Sequence, residues 1–328
     1  MTVGATAVPA RVTLDAIREA AVGLVGVAER TPLVRVAALE ALAGAPVYLK
    51  LESRQPTGAF KLRGAWTAVR RLPLAARRRG VITYSSGNHG QALAYAARRL
   101  GLRAVVVMPE NAPAKKVEGV GKWGGEVVFA GTTSEQRKAK AEEIIAAQGL
   151  TMVPPFDHPD VIAGQGTVGL EIAEDLPDVA HVAVQVGGGG LLAGVTIAIK
   201  ALVPTAQVIA VEPEGSAAMG AALRAGRVVR LESTQSIADG LLPVSVGPIP
   251  FAHVRGRVDA VTVSEDAIIE ATVWLMQALD LLVEPSGAAT TAALRARAFT
   301  PRGPTVLVVS GGNVDPAFVA QLAERTGR

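Results

Sequence analysis

Val81-Ile82-Thr83-Tyr84 is followed by Ser85-Ser86-Gly87-Asn88-His89-Gly90-Gln91, then by a segment of helical length to Leu100, then by Ala104-Val105-Val106-Val107-Met108. Two short runs rich in β-branched residues bracket a loop of small polar residues and a helix. Parallel strands need a crossover of about a dozen residues or more, so this spacing predicts a right-handed strand–helix–strand unit. The alternation continues outward. Helices are predicted over 114–123, 134–148, 159–174, 191–201, 216–225, 265–279 and 287–297. Strands are predicted over 126–129, 181–186, 207–211, 258–263 and 306–309. Upstream, 14–27 reads as a helix capped by Thr13, 31–34 and 47–51 as strands, and 62–71 as a helix. The fold class is α/β, with two lobes that each hold a mostly parallel, open, twisted sheet flanked by helices. The smaller lobe is expected over 54–150 and the larger, cofactor-binding one over 1–53 and 151–328.

Composition narrows the function. Of 328 residues, 49% are hydrophobic and 19% charged, enough to bury a large core. The excess of 33 Lys+Arg over 29 Asp+Glu is small. The densest basic run, Arg77-Arg78-Arg79, has no neighbouring aromatics and reads as a solvated helix end, so no nucleic-acid partner is expected. There is no cysteine, which excludes disulfides, thiolate metal sites and a cysteine nucleophile. No signal peptide is evident, and the most apolar stretch, 179–203, is broken by glycines and contains Lys200, so no membrane span is expected. A cytoplasmic protein is the default reading.

In open parallel sheets, ligands gather beyond the carboxyl ends of strands, and three loops lie there. The first is Ser85-Ser86-Gly87-Asn88-His89. Hydroxyls, an amide and the orphan N–H groups of a helix start suit an anion such as a carboxylate; plain N-capping by Ser or Asn is the competing reading. The second is Gly187-Gly188-Gly189-Gly190-Leu191. Four glycines between strand and helix let several N–H groups converge on a phosphate. No Walker lysine stands nearby, and no acidic residue is placed for a ribose, which favours a phosphate group over a dinucleotide. The third, Ser310-Gly311-Gly312-Asn313, can offer one neutral hydrogen bond to a heterocycle nitrogen or serve simply as a turn.

A lysine completes the set. Lys61 follows Pro56-Thr57-Gly58-Ala59-Phe60 and opens a helix. Desolvation by Phe60, Leu62 and Ala65 would favour the neutral amine and a Schiff base with pyridoxal 5′-phosphate (PLP). By itself such a lysine reads as a solvated surface residue. With a phosphate cup, an anion loop and a strand-end serine it becomes the fourth part that a PLP enzyme needs.

In these motifs the chain resembles the fold-type II PLP enzymes, specifically the threonine/serine dehydratase and serine racemase group. The matching pieces also include Lys50-Leu51-Glu52, 161–167 (VIAGQGT), Ile237-Ala238-Asp239-Gly240 and Glu284-Pro285-Ser286-Gly287, in order over nearly the whole chain. The resemblance implies that Lys61 holds PLP as a Schiff base and shuttles the Cα proton. It implies that Phe60 and Gly240 sandwich the ring, Asn88 bonds the ring hydroxyl, and Ser310 bonds the ring nitrogen. Gly187, Gly188, Gly189 and Gly190 with the Leu191 amide would hold the phosphate. Ser85, Asn88 and His89 would hold the substrate carboxylate, Ser86 would face Cα opposite Lys61, and Glu284 would lie near the ring. A homodimer is what the family suggests.

A serine at the ring nitrogen gives a weaker electron sink than an aspartate, which suits loss of a β-hydroxyl over a long-lived carbanion. The expected activity is therefore β-elimination from L-threonine or L-serine to a 2-oxo acid and ammonia. The alternatives are a serine or other amino-acid racemase, a dehydratase for another β-hydroxy amino acid (hydroxyaspartate or phenylserine), and a non-enzymatic phosphate-ligand binding module. Glu212-Pro213 matches half of the divalent-cation site found in this group, but the second acidic position is Ala218, so no metal is expected.

Overall fold

The computed structural model describes residues 11–85 and 87–325. The strands are β1 (Leu33–Arg35), β2 (Val47–Leu51), β3 (Val81–Tyr84), β4 (Ala104–Met108), β5 (Glu126–Phe129), β6 (Thr151–Met152), β7 (His181–Gln185), β8 (Gln207–Pro213), β9 (Val258–Val263) and β10 (Thr305–Val309). The helices are α1 (Leu14–Leu24), α2 (Ala37–Ala43), α3 (Lys61–Arg71), α4 (Leu74–Arg79), α5 (Asn88–Arg99), α6 (Ala114–Lys122), α7 (Ser134–Gln148), α8 (Pro159–Asp175), α9 (Gly190–Leu202), α10 (Ala218–Ala225), α11 (Pro248–Val254), α12 (Glu265–Leu279), α13 (Pro285–Arg295) and α14 (Pro316–Arg325). The expected strands and helices are present; α2, α4, α11, α14 and the two-residue β6 are additions.

The strands form two sheets, one six-stranded in the order β1-β2-β10-β7-β8-β9 and one four-stranded in the order β5-β4-β3-β6. Every pairing is parallel except β1 with β2. Helices cover both faces of the larger sheet, which explains why its strands read as unbroken apolar runs. Alternate side chains go to opposite cores. Val306 and Val308 of β10 join α1, α8 and α9, whereas Leu307 and Val309 join α2, α12 and α13. In the smaller sheet Val81 faces α3 and α5, and Ile82 faces α7.

α3 and α8 meet backbone to backbone. A Cβ added to Gly64 would sit 2.7 Å from the Val161 carbonyl oxygen, and one on Gly164 would collide with the Arg63 carbonyl, so only glycine allows this crossing. Behind the crossing lies a buried charge cluster. Arg63 donates to both oxygens of Glu52 at 2.8 Å and to Glu171 at 2.6 Å, and Lys50 donates to Glu171 at 2.6 Å. Thr31, Gln55 and Thr167 complete the shell. Burial opposes ionisation of Glu52, but Arg63 outweighs it and holds the carboxyl below the usual range.

Candidate active site

The order β2-β10-β7 sets three carboxyl ends side by side: the lysine segment follows β2, the Ser310 loop follows β10 and the glycine loop follows β7, while the Ser85 loop leaves β3 of the smaller sheet. The segment after β2 is stitched to the loop after β10. The Phe60 amide donates to the Ser310 carbonyl at 3.1 Å, the Gly312 amide to the Gly58 carbonyl at 2.9 Å, and Asn313 Nδ2 to the Thr57 carbonyl at 2.8 Å. This fixes Lys61, the first residue of α3, beside buried Ser310. Lys61 Nζ donates to the Pro155 carbonyl at 2.7 Å and lies 5.1 Å from the centre of the Phe60 ring. Burial pushes its pKa down to about 8, against an opposing pull from Glu284.

The glycine loop after β7 has no room for side chains. A Cβ on Gly188 would run into the Phe156 ring, one on Gly187 would lie 2.8 Å from the Gly240 carbonyl oxygen, and one on Gly190 3.0 Å from the Phe156 carbonyl oxygen. Gly189 has φ +91°, a conformation that other residues rarely adopt. The loop feeds directly into α9, whose first-turn N–H groups have no intrahelical partner. Gly240 is held by a bond from its amide to Ser286 Oγ at 2.9 Å.

The loop after β3 differs in detail from expectation. α5 begins at Asn88 itself, and its cap is Gly87, so Asn88 does not cap. Ser85 Oγ instead accepts from the amides of Gly87 at 3.1 Å and Gly90 at 3.2 Å. Asn88 Nδ2 donates to Glu284 Oε1 at 2.5 Å, and its Oδ1 accepts from Asn313 Nδ2 at 2.9 Å. His89 is buried with Nε2 3.0 Å from the Val153 carbonyl oxygen, and burial with the Lys61 cation pushes its pKa down to about 3. A carbonyl only accepts, so Nε2 carries the proton of this neutral ring and Nδ1, buried without a partner, is an acceptor. The imidazole therefore has no donor to offer a carboxylate; the donor at this position is the His89 main-chain N–H in the first turn of α5. Ser86 lies outside the described residues.

Glu284 closes the site. Its Oε1 meets Asn88, and its Oε2 is buried without a hydrogen bond. Burial raises its pKa to about 7, with Lys116 pulling it back and Asp239 raising it further. Lys116 donates to Asp239 across the site, and both outlying partners of Glu284 were missed by sequence reasoning. Lys116 sits in an Ala-Lys-Lys run that reads as surface, and 123 residues separate it from Asp239. Pro155 and Phe156 were missed for the same reason, whereas Asn313 and Ser286 stood in quoted motifs without the roles they take here.

Other regions bear on the excluded partners. Arg77 and Arg79 of α4 donate to the carbonyls of Leu72 and Gly149, both at 2.9 Å. No helix among the described residues is long and apolar enough to cross a membrane, and no cluster of potential metal ligands is found among them. Both oxygens of Glu212 accept from α10, from the amides of Met219 at 2.7 Å and Gly220 at 2.8 Å, next to buried Ala218. Burial raises Glu212 to about 7.

The chain is similar to known proteins. The family profile described as pyridoxal-phosphate dependent enzyme matches residues 25–311. An L-threonine ammonia-lyase from Thermotoga maritima is 39% identical over 315 residues, covering 96% of this chain and 79% of its own length. An L-threo-3-hydroxyaspartate ammonia-lyase from Pseudomonas is 40% identical over 306 residues, covering 93% and 96% respectively. The structure of maize serine racemase superposes with a TM-score of 0.90 at 35% identity, over 96% of this chain and 98% of that one.

Proposed function

The chain belongs to the pyridoxal-phosphate-dependent enzymes, in the group of threonine/serine dehydratases and serine racemases, and from that premise we propose that it eliminates the β-hydroxyl of L-threonine or L-serine. One observation carries the reading: a partly desolvated lysine, a buried strand-end serine and a side-chain-free glycine cup leave three adjacent strand ends together.

The residues present fit the cofactor. The α9 amides and the glycine cup suit its phosphate, and the crowding that excludes every Cβ there leaves backbone N–H groups as the donors. The neutral amine of Lys61 suits its aldehyde, and Ser310 its ring nitrogen. Phe60 and Gly240 would flank the ring, Asn88 would reach its hydroxyl, and Glu284 would lie at its edge. When bound, PLP supplies the electron sink that acidifies the substrate Cα–H.

The chain's own residues do the rest. Main-chain N–H groups of Asn88 and His89, with Ser85, hold the substrate carboxylate at the start of α5. Lys61 Nζ, with a pKa of about 8, is neutral often enough near pH 8 to take the Cα proton and acidic enough to return it. The β C–O bond then breaks, and the hydroxide leaves as water on gaining a proton. Hydrolysis at the C–N bond restores one water, so threonine gives 2-oxobutanoate and ammonia. Release of a 2-oxo acid from L-threonine, with borohydride trapping PLP on Lys61, tests this. A purified chain that yields neither overturns it.

A second reading has its own support. Arg137 is buried, its hydrogen bonds go to the uncharged Thr132 carbonyl and Ser134 hydroxyl, and its Nε has no partner. It stands at the carboxyl edge of the smaller sheet, the side from which Ser85 leaves. A guanidinium so placed suits a second carboxylate, as in a β-hydroxy dicarboxylic amino acid. Faster turnover of 3-hydroxyaspartate than of threonine, reversed by Arg137→Met, would favour it. Within either reading the boundary expected at 150 moves past β6, which pairs with β3 in the smaller sheet, and the enzyme works as a cytoplasmic homodimer; light scattering reads the oligomer.

A further inference from the structure

We propose that Phe156 is a positioning residue for the cofactor phosphate: its ring and backbone hold Gly188 and Gly190 in the conformation that receives one anion. This inference rests on the proposed reading that the glycine loop after β7 takes the phosphate of PLP.

A run of four glycines has no side chains with which to hold its own shape, and unrestrained glycine samples more backbone conformations than any other residue. The shape comes from outside. The Phe156 ring fills the space that a side chain on Gly188 would need, and a Cβ on Gly190 would lie 3.1 Å from Phe156 Cα and 3.2 Å from its Cβ. Phe156 thus abuts two of the four glycines. Gly189 is covered instead by Pro250, 2.9 Å from a Cβ placed there, and Gly187 by Pro243 at 3.3 Å. The Gly188 carbonyl accepts from the Gly247 amide at 3.1 Å. Order imposed on the glycines beforehand is order that phosphate binding does not have to supply, so it emerges as affinity for the phosphate.

Phe156 is itself held from both sides. It belongs to the segment Val153-Pro154-Pro155-Phe156-Asp157-His158. The prolines fix φ at two successive residues and offer only carbonyls to hydrogen bonding. Before the ring, the Val153 amide donates to the Ile82 carbonyl of β3 at 2.9 Å, and the Val153 carbonyl accepts from His89 Nε2 at 3.0 Å. After it, Asp157 Oδ1 accepts from the Ile249 amide at 3.0 Å in the first turn of α11, and His158 Nδ1 accepts from the Asp160 amide at 3.2 Å at the start of α8. Pro250 lies on α11, so Asp157 also fixes the cover of Gly189. The Pro155 carbonyl meets Lys61 Nζ. One pinned segment therefore spans the lysine and the phosphate cup, and the Phe156 ring is the part of it that meets the cup.

Pyridoxal, which carries the aldehyde without the phosphate, isolates this effect. PLP and pyridoxal are each titrated into the full chain after hydroxylamine has removed its cofactor, and borohydride trapping on Lys61 reports an intact lysine. The parent should bind PLP far more tightly than pyridoxal. Phe156→Ala should weaken PLP by about tenfold and pyridoxal by under about twofold. The phosphorus resonance of bound PLP should move toward that of the free cofactor. Phe156→Tyr, which keeps the ring, should restore both. Asp157→Ala, which frees α11, should give the same selective loss to a smaller degree, and it decides the matter if Phe156→Ala does not fold. Equal weakening of PLP and pyridoxal, or weakening of neither, overturns the positioning role alone. A parent that does not prefer PLP over pyridoxal overturns the phosphate reading of the glycine loop, and this inference with it.

Discussion

Two buried charge clusters lie within one helix turn of Lys61, and they are built to opposite ends. Behind the lysine, Arg63, Lys50, Glu52 and Glu171 balance two cations against two anions, and none of their nitrogens or oxygens is buried without a partner. In front of it, Glu284 has one oxygen on Asn88 and the other on nothing, and its pKa rises to about 7 while that of Lys61 falls to about 8. The first cluster fixes charge states; the second leaves them near the point of change. Saturated hydrogen bonding makes a frame, and incomplete hydrogen bonding makes a reactive site.

The contrast can be broken in order of effect. Lys61→Ala should lower turnover by about four orders of magnitude and abolish borohydride trapping while leaving the fold unaltered by circular dichroism. Next comes the frame. Arg63→Met strands Glu52 and half of Glu171 in a dry interior, and the urea midpoint should fall by the equivalent of about 3–5 kcal/mol. A loss below 1 kcal/mol would show that the cluster is hydrated.

The third prediction is a pH signature. Glu284 keeps its proton to about pH 7 when folded but releases it near 4.5 when unfolded. Between those values the native chain binds the extra proton, so this group makes stability fall as pH rises. Glu284→Gln should flatten that part of the stability profile measured without cofactor; an unchanged slope would contradict the assignment. The smallest effect belongs to the surface. Arg103 and Glu126 pair at 2.7 Å with about half of each side chain exposed, and Arg103→Ala should cost under about 1 kcal/mol in the same urea assay.

How much of this was legible beforehand follows physical lines. β2, β3, β4, β5 and β9 begin and end where expected; β3 and β4 are paired on both sides and buried, which demands apolar, β-branched runs, whereas β5 and β9 are sheet edges and partly exposed. β6 has two residues and no run to detect, and its place in the sheet comes from pairing with Val81 and Ile82. α11, Pro248–Val254, hides behind two prolines, one of which sits where a first turn tolerates it. Within the site, Lys61, Ser310 and the glycine cup were readable because strand ends announce them. The Lys116–Asp239 pair and the Asn88–Asn313 contact, 225 residues apart, exist only once the chain is folded. His89 illustrates the intermediate case: its position was legible, but the direction of its ring was decided by the Val153 carbonyl.

One placement has a further consequence. Lys61 is the first residue of α3, so its amine lies at the positive end of an eleven-residue helix. The aligned peptide dipoles there disfavour a cation, by an amount on the order of 0.3–1 kcal/mol, or a fraction of a pKa unit. Part of the amine's reactivity is therefore a property of peptide groups that never touch a ligand. The field comes from the free N–H groups of the first turn, so a change that unwinds that turn would make the lysine a stronger base and a less available nucleophile.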